Sequence, residues 1–99
     1  MTHITDNGLV EFHFYRPGAK IVQLAGCFTE WSENPLAMQS VGNGWWAVKT
    51  TLEPGEYRFR YIADGRWFTD FASYGVEKTR HGFNSVLIVP ERLIRMKAA

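Results

Sequence analysis

The sequence has little that would support an extracellular or membrane protein. Its 99 residues include a single cysteine, Cys27, which cannot form an internal disulfide bond. The start of the chain lacks the basic residues and apolar run of a secretion signal, so we expect a reducing, cytoplasmic location. No stretch approaches the roughly 18 consecutive apolar residues that a membrane-spanning helix needs, so we expect no membrane partner.

The sequence also lacks an excess of charge of either sign. The chain has 11 Lys and Arg against 10 Asp and Glu, a formal net charge of +1. Nucleic-acid binding depends largely on attraction to phosphates, so this balance predicts no nucleic-acid partner. Arg58, Arg60 and Arg66 accompany Trp67, a combination also used to hold single strands, but acidic residues surround them. A composition of 45% hydrophobic and 15% aromatic residues instead predicts one compact domain.

Motifs of catalysis and metal binding are absent from the sequence. His3, His13 and His81 are too scattered to predict a metal site, and no Cys-x-x-Cys or Gly-x-Ser-x-Gly pattern occurs. Glu30 and Glu33 lie in one polar segment, where we interpret them as ordinary solvated charges. We therefore expect a protein that is not an enzyme and that needs no metal and no cofactor.

Short apolar alternations separated by turn residues fill most of the chain. Strands are predicted over residues 9–15, 21–25, 45–52, 57–63, 66–69 and 84–89. The pair Asp64-Gly65 is the strongest hairpin signal between two of them. Residues 32–38 and 70–82 show no sustained period and are predicted to be irregular, whereas residues 91–96 are expected to form either one helical turn or a frayed end.

This pattern predicts an all-β protein, a two-sheet antiparallel sandwich of immunoglobulin-like type. We expect one domain over residues 1–99, with the sandwich at about 8–90 and a short tail at 91–99. Alternation places Trp46 in the core, while Trp45 points the other way, as sheet-surface packing or a peripheral contact. The other predicted inward positions are Val10, Phe12, Phe14, Val22, Leu24, Tyr57, Phe59 and Tyr61.

Two tryptophans, Trp31 and Trp67, follow turn residues just beyond strands, where the backbone turns toward water. An exposed indole offers a flat apolar surface for the C–H face of a pyranose, and Arg60 and Asn84 supply donors and acceptors for its hydroxyls. Sugar binding therefore fits this inventory better than catalysis does. Structural alternatives stay open: either indole can pin a loop, Arg60 can join a cross-strand ion pair, and Asn84 can be a turn residue.

Five segments occur in a fixed order, at residues 22–31, 35–46, 52–61, 64–67 and 82–89. Together they resemble family 48 carbohydrate-binding modules. These are early-set domains found at the front of isoamylases and glycogen branching enzymes, and they include the glycogen-binding domain of the AMP-activated protein kinase beta subunit. The resemblance covers nearly the whole chain, from about Val10 to Val89.

The resemblance implies an immunoglobulin-like sandwich that binds α-1,4-glucans, such as glycogen and maltodextrins, without catalysis. The two tryptophans of the family's sugar platform match Trp31 and Trp67. The basic residue on the strand before the second tryptophan, often lysine in the family, matches Arg60, and the asparagine near the start of the last strand matches Asn84.

The sequence also departs from the family pattern. Cys27 stands where the family usually has an acidic residue, Thr29 stands where it has asparagine, and residues 79–82 differ from its loop before the last strand. These changes keep open an alternative function, a structural or regulatory early-set domain that docks onto a protein partner such as a glycogen-metabolising enzyme and binds no sugar. The chain is expected to be either a free-standing module or a domain of something longer.

Overall fold

The computed structural model describes residues 2–4, 8–70, 75–80 and 82–90, and only the backbone of Ser32. Within these ranges the chain is built from antiparallel strands with one 3-10 turn, Trp31–Glu33, so the predicted all-β fold is confirmed. The strands are β1 (Thr2–Ile4), β2 (Leu9–Tyr15), β3 (Val22–Gly26), β4 (Leu36–Ala37), β5 (Gln39–Gly42), β6 (Trp45–Thr51), β7 (Gly55–Ala63), β8 (Arg66–Phe68), β9 (Gly75–Thr79) and β10 (Gly82–Val89).

The described strands form two sheets that enclose one apolar core. One sheet has the order β1-β2-β6-β5, and the other has the order β4-β3-β7-β10-β9. The second sheet also contains β8, which pairs with β7 and lies outside that linear order. Phe12 of the first sheet meets Phe59 of the second edge-on at 5.1 Å, and Phe14 stacks on Tyr61 at 4.4 Å between ring centres. Aromatic contacts therefore join the two sheets, and they stabilise the sandwich beyond the free energy gained by burying apolar area.

Besides Trp46, six of the eight predicted inward positions are buried as alternation requires, whereas Phe14 and Tyr57 are partly buried against the core. Val10, Phe12, Val22, Leu24, Phe59 and Tyr61 are each at most 1% exposed. The Tyr61 hydroxyl lies 3.1 Å from Asp70 Oδ2 and 3.3 Å from the His13 carbonyl, and burial raises the pKa of this phenol. Because consecutive side chains on a strand point to opposite faces, Arg58 and Arg60 face outward from the second sheet.

Four strands, β1, β4, β5 and β9, were not predicted from the sequence. Residues 32–38 contain the 3-10 turn and β4, and residues 70–82 contain β9, so the prediction that these segments are irregular is wrong for those parts. Strand β5 pairs with β6 across Asn43-Gly44, whose positive φ angles of 55° and 84° suit a hairpin turn. All four lie at sheet edges, where side chains stay at least partly exposed to water and little apolar alternation is needed. Residues 71–74 and the predicted tail, residues 91–99, lie outside the described part of the chain.

Candidate functional site

An open cavity of about 650 Å³ lies on the outer face of the six-stranded sheet. Its lining brings together all four residues singled out from the sequence, Trp31, Arg60, Trp67 and Asn84. They come from the 3-10 turn after β3, from β7, from β8 and from β10. Both indoles thus border the same space as the polar pair of Arg60 and Asn84. The fifth lining residue, Thr79 of β9, was not predicted.

The polar part of the cavity is a direct contact between two neighbouring strands. Arg60 Nε donates a hydrogen bond of 2.8 Å to Asn84 Oδ1. The observed partner of Arg60 is therefore a neutral amide rather than the carboxylate of a cross-strand ion pair. Asn84 lies inside β10 and pairs with β9, so its interpretation as a turn residue is wrong. Arg60 keeps its two terminal amino groups as further N–H donors.

Trp31 is half-buried and is carried by an irregular loop. Glu30 and Trp31 have φ angles of 58° and 54°, in the left-handed region that costs an ordinary residue about 1–2 kcal/mol. The buried hydroxyl of Thr29 accepts a 2.9 Å hydrogen bond from Gly26 N. Its single proton lies between the carbonyls of Gly26 and Trp31, at oxygen distances of 3.0 and 3.2 Å. Thr29 thus ties the strained turn to the end of β3.

Gly26 is required for close packing at the point where this loop leaves the sheet. A Cβ atom at Gly26 would lie 2.6 Å from the Arg58 carbonyl oxygen and 2.7 Å from Cε1 of Phe28. The small size of Gly26 is therefore required by its contact with the backbone of β7. The adjacent Cys27 N–H donates to the same Arg58 carbonyl at 3.0 Å.

Trp67 is 42% exposed and is carried by a regular hairpin. Asp64 and Gly65 form the turn with φ angles of 48° and 84°, as a type I′ turn requires, and Trp67 pairs with Ile62 of β7. Asp64 Oδ1 also accepts backbone hydrogen bonds of 2.9 Å from Ile21 and 3.0 Å from Lys20. These hydrogen bonds, the Ile21 one foremost, lower the pKa of the Asp64 carboxyl.

The other two tryptophans lie away from the cavity. Trp46 packs against the core, as predicted, and its Nε1 donates to the Arg16 carbonyl at 3.2 Å. Trp45 lies against Tyr15 at 5.2 Å between ring centres, on the outer face of the four-stranded sheet. Trp45 is therefore a surface-packing residue, which was one of its two open interpretations.

Histidine, cysteine and acidic side chains do not gather into a metal site in the described part of the molecule. Across residues 2–4, 8–70, 75–80 and 82–90, no group of three His, Cys, Asp or Glu side chains is placed to hold a metal ion. His81, one of the three histidines considered above, lies outside these ranges. Cys27 is a free, exposed thiol. In the same ranges, no helix is long and apolar enough to cross a membrane.

Comparison with known proteins identifies the family of this domain. The family described as the glycogen recognition site of AMP-activated protein kinase matches residues 10–94. A solved structure assigned as an alpha amylase from Salmonella typhimurium superposes with a TM-score of 0.67 at 21% identity, which shows a shared fold. That likeness covers 89% of this chain and 14% of the amylase chain, so the chain spans a small part of that protein's length. No curated protein sequence matches the chain.

Proposed function

Because the chain belongs to the family of glycogen recognition sites of AMP-activated protein kinase, which are carbohydrate-binding modules, we propose that it binds α-1,4-glucans such as glycogen and maltodextrins without transforming them. The observation that supports this most is one cavity lined by Trp31, Trp67 and the hydrogen-bonded pair of Arg60 and Asn84. The same four residues are the proposed carbohydrate-binding residues. No metal or cofactor has a part in this function.

The indoles would supply most of the binding free energy. Covering roughly 100 Å² of apolar surface on each ring contributes about 2–3 kcal/mol, before the cost of ordering the sugar and side chains is subtracted. Affinity for a short oligosaccharide is then expected in the range of about 1 μM to 1 mM. On a branched polymer many copies of the binding unit lie close together, which raises the effective affinity.

The polar pair would supply orientation. Sugar hydroxyls both donate and accept hydrogen bonds, and the terminal amino groups of Arg60 offer donors while the amide of Asn84 offers both kinds of group. A cavity with apolar walls and a few fixed polar groups is the usual form of a small-molecule site. The proposed location is the cytoplasm, which agrees with the free thiol of Cys27.

A second candidate function is docking onto a larger glycogen-metabolising enzyme without sugar binding. It is supported by the likeness of this fold to a part covering 14% of a solved alpha amylase chain. The two functions make opposite predictions for the isolated domain. Glucan binding requires the cavity alone, whereas a docking domain would show affinity only for its partner.

Calorimetric titration with maltoheptaose tests the proposal. Trp31→Ala and Trp67→Ala are each expected to weaken binding at least about tenfold, because each removes one apolar platform. Trp45→Ala is the matched control, since it removes an indole from the opposite sheet and should leave the dissociation constant unchanged. A β-1,4-linked glucose oligomer of the same length should bind much more weakly.

Three outcomes would contradict the proposal. If the unmutated chain gives no heat with maltoheptaose or glycogen, the docking function replaces it. Equal losses in all three tryptophan variants would mean that the cavity is not the sugar site. Release of shorter glucans by the purified chain would show catalysis, against the proposed non-catalytic role.

A further inference from the structure

A chain of polar contacts continues from the cavity across the outer face of the six-stranded sheet. Asn84 Nδ2 donates to Glu77 Oε1 at 3.4 Å, and the second oxygen of Glu77 accepts from Arg58 Nε at 3.2 Å. Arg58 Nη1 in turn pairs with Glu56 at 2.9 Å. Glu77 lies in β9 directly opposite Asn84 of β10, so the sheet register itself brings the two side chains together.

The two neighbours of Asn84 specify the same orientation of its amide. An ionised carboxylate only accepts hydrogen bonds, so Glu77 selects the NH2 end of the amide. Arg60 Nε only donates, so it selects the oxygen end. Without Glu77 one of these two constraints is lost, and the amide of Asn84 can rotate about its Cβ–Cγ bond at a lower energetic cost.

We propose that Glu77 is a positioning residue of the glucan site, which acts through Asn84; this inference rests on the proposed function. Held in this way, Asn84 has one N–H and one lone pair that are not used by Glu77 and Arg60 and can meet sugar hydroxyls. Two adjacent hydroxyls of one glucose unit, one accepting and one donating, match that pair of groups. Fixing the amide before the sugar arrives reduces the ordering cost of binding.

The contact of Arg58 with Glu56 provides a control, which distinguishes the orientation of Asn84 by Glu77 from a general effect of losing a negative charge. Glu56 and Glu77 both pair with Arg58, but the contact with Asn84 is made by Glu77. The matched control is therefore Glu56→Ala, which removes a carboxylate from the same arginine at the far end of the chain of contacts. Glu77→Gln keeps the size of the side chain and removes its charge.

The test is a double-mutant cycle on the maltoheptaose dissociation constant of the full chain. Glu77→Ala is expected to weaken binding about fivefold in the unmutated background and to have almost no effect in an Asn84→Ala background. Glu77→Gln should give an intermediate loss, and Glu56→Ala should leave the affinity unchanged. Thermal unfolding midpoints, measured for every variant, show whether each remains folded.

Several results would overturn the inference. An unchanged affinity in Glu77→Ala, or the same loss in both backgrounds, would mean that Glu77 does not act through Asn84. A loss in Glu56→Ala equal to that in Glu77→Ala would assign the effect to Arg58. If Glu77→Ala fails to fold, the same comparisons apply to Glu77→Gln. Absence of any glucan binding by the unmutated chain would instead refute the proposed function, and this inference with it.

Discussion

The two tryptophans of the cavity are held by different kinds of structure. Trp67 lies in β8, which follows a two-residue turn and pairs in regular register with β7. Trp31 sits in a 3-10 turn, preceded by Glu30 in the same left-handed backbone region, and depends on hydrogen bonds from a buried threonine. The hairpin turn is thus favoured by its own two residues, whereas the left-handed backbone of the Trp31 loop needs contacts with other residues to offset its cost.

This difference indicates which part of the site is more sensitive to substitution. In the hairpin, Asp64 and Gly65 adopt positive φ angles that both residue types tolerate. In the loop, the left-handed backbone of Glu30 and Trp31 must be offset by other contacts. We therefore expect substitutions under the Trp31 loop to have larger effects than the corresponding substitutions in the Trp67 hairpin.

The largest expected difference is between two glycine-to-alanine changes. Gly26→Ala should lower the free energy of unfolding by about 3 kcal/mol, because the new methyl group collides with a backbone carbonyl that cannot easily move. Gly65→Ala meets no atom within 4 Å and should cost only about 1 kcal/mol, for its left-handed backbone. Urea unfolding of both variants measures the gap. Equal costs would refute the idea that the loop is packed more tightly than the hairpin.

The next effect concerns the hydroxyl of Thr29. Thr29→Val keeps the shape of the side chain but leaves the Gly26 N–H without its acceptor, which should cost about 2 kcal/mol of unfolding free energy. The same change should weaken maltoheptaose binding, because the backbone around Trp31 is no longer held. Thr29→Ser is the control, and it should restore most of the affinity. If the Thr29→Val and Thr29→Ser variants bind glucan equally well, the hydroxyl does not position Trp31.

The smallest expected effect is in the hairpin, at Asp64. The lowered pKa of this carboxyl means that its stabilising contribution is complete above about pH 4 and is lost as the pH falls through the folded-state pKa. Asp64→Asn should therefore lower the urea midpoint slightly near neutral pH, and its difference from the unmutated chain should shrink toward about pH 2. A difference that stays constant over this range would exclude a contribution from the ionised carboxylate.

Most of the central strands could be predicted because burial imposes a visible alternation. The segment Leu9–Tyr15 reads as a strand for this reason, and its bounds are confirmed. Strand β9 could not be found in this way, because Glu77 and Lys78 lie at an edge where charged side chains cost nothing. Missing β9 also meant missing Thr79 of the cavity. By contrast, Asn43-Gly44 carried an unused signal, since such a pair predicts a hairpin and hence β5.

The sequence by itself determined the all-β class, the core face of each central strand and the residue types suited to stacking on a sugar. These follow from alternation, turn propensity and side-chain chemistry, which act over a few neighbouring residues. Only the tertiary structure decided that Trp31, Trp67, Arg60 and Asn84 border one cavity and that Glu77 lies beside Asn84. Those contacts depend on strand register and on packing between segments far apart in the chain, which no short stretch of sequence specifies.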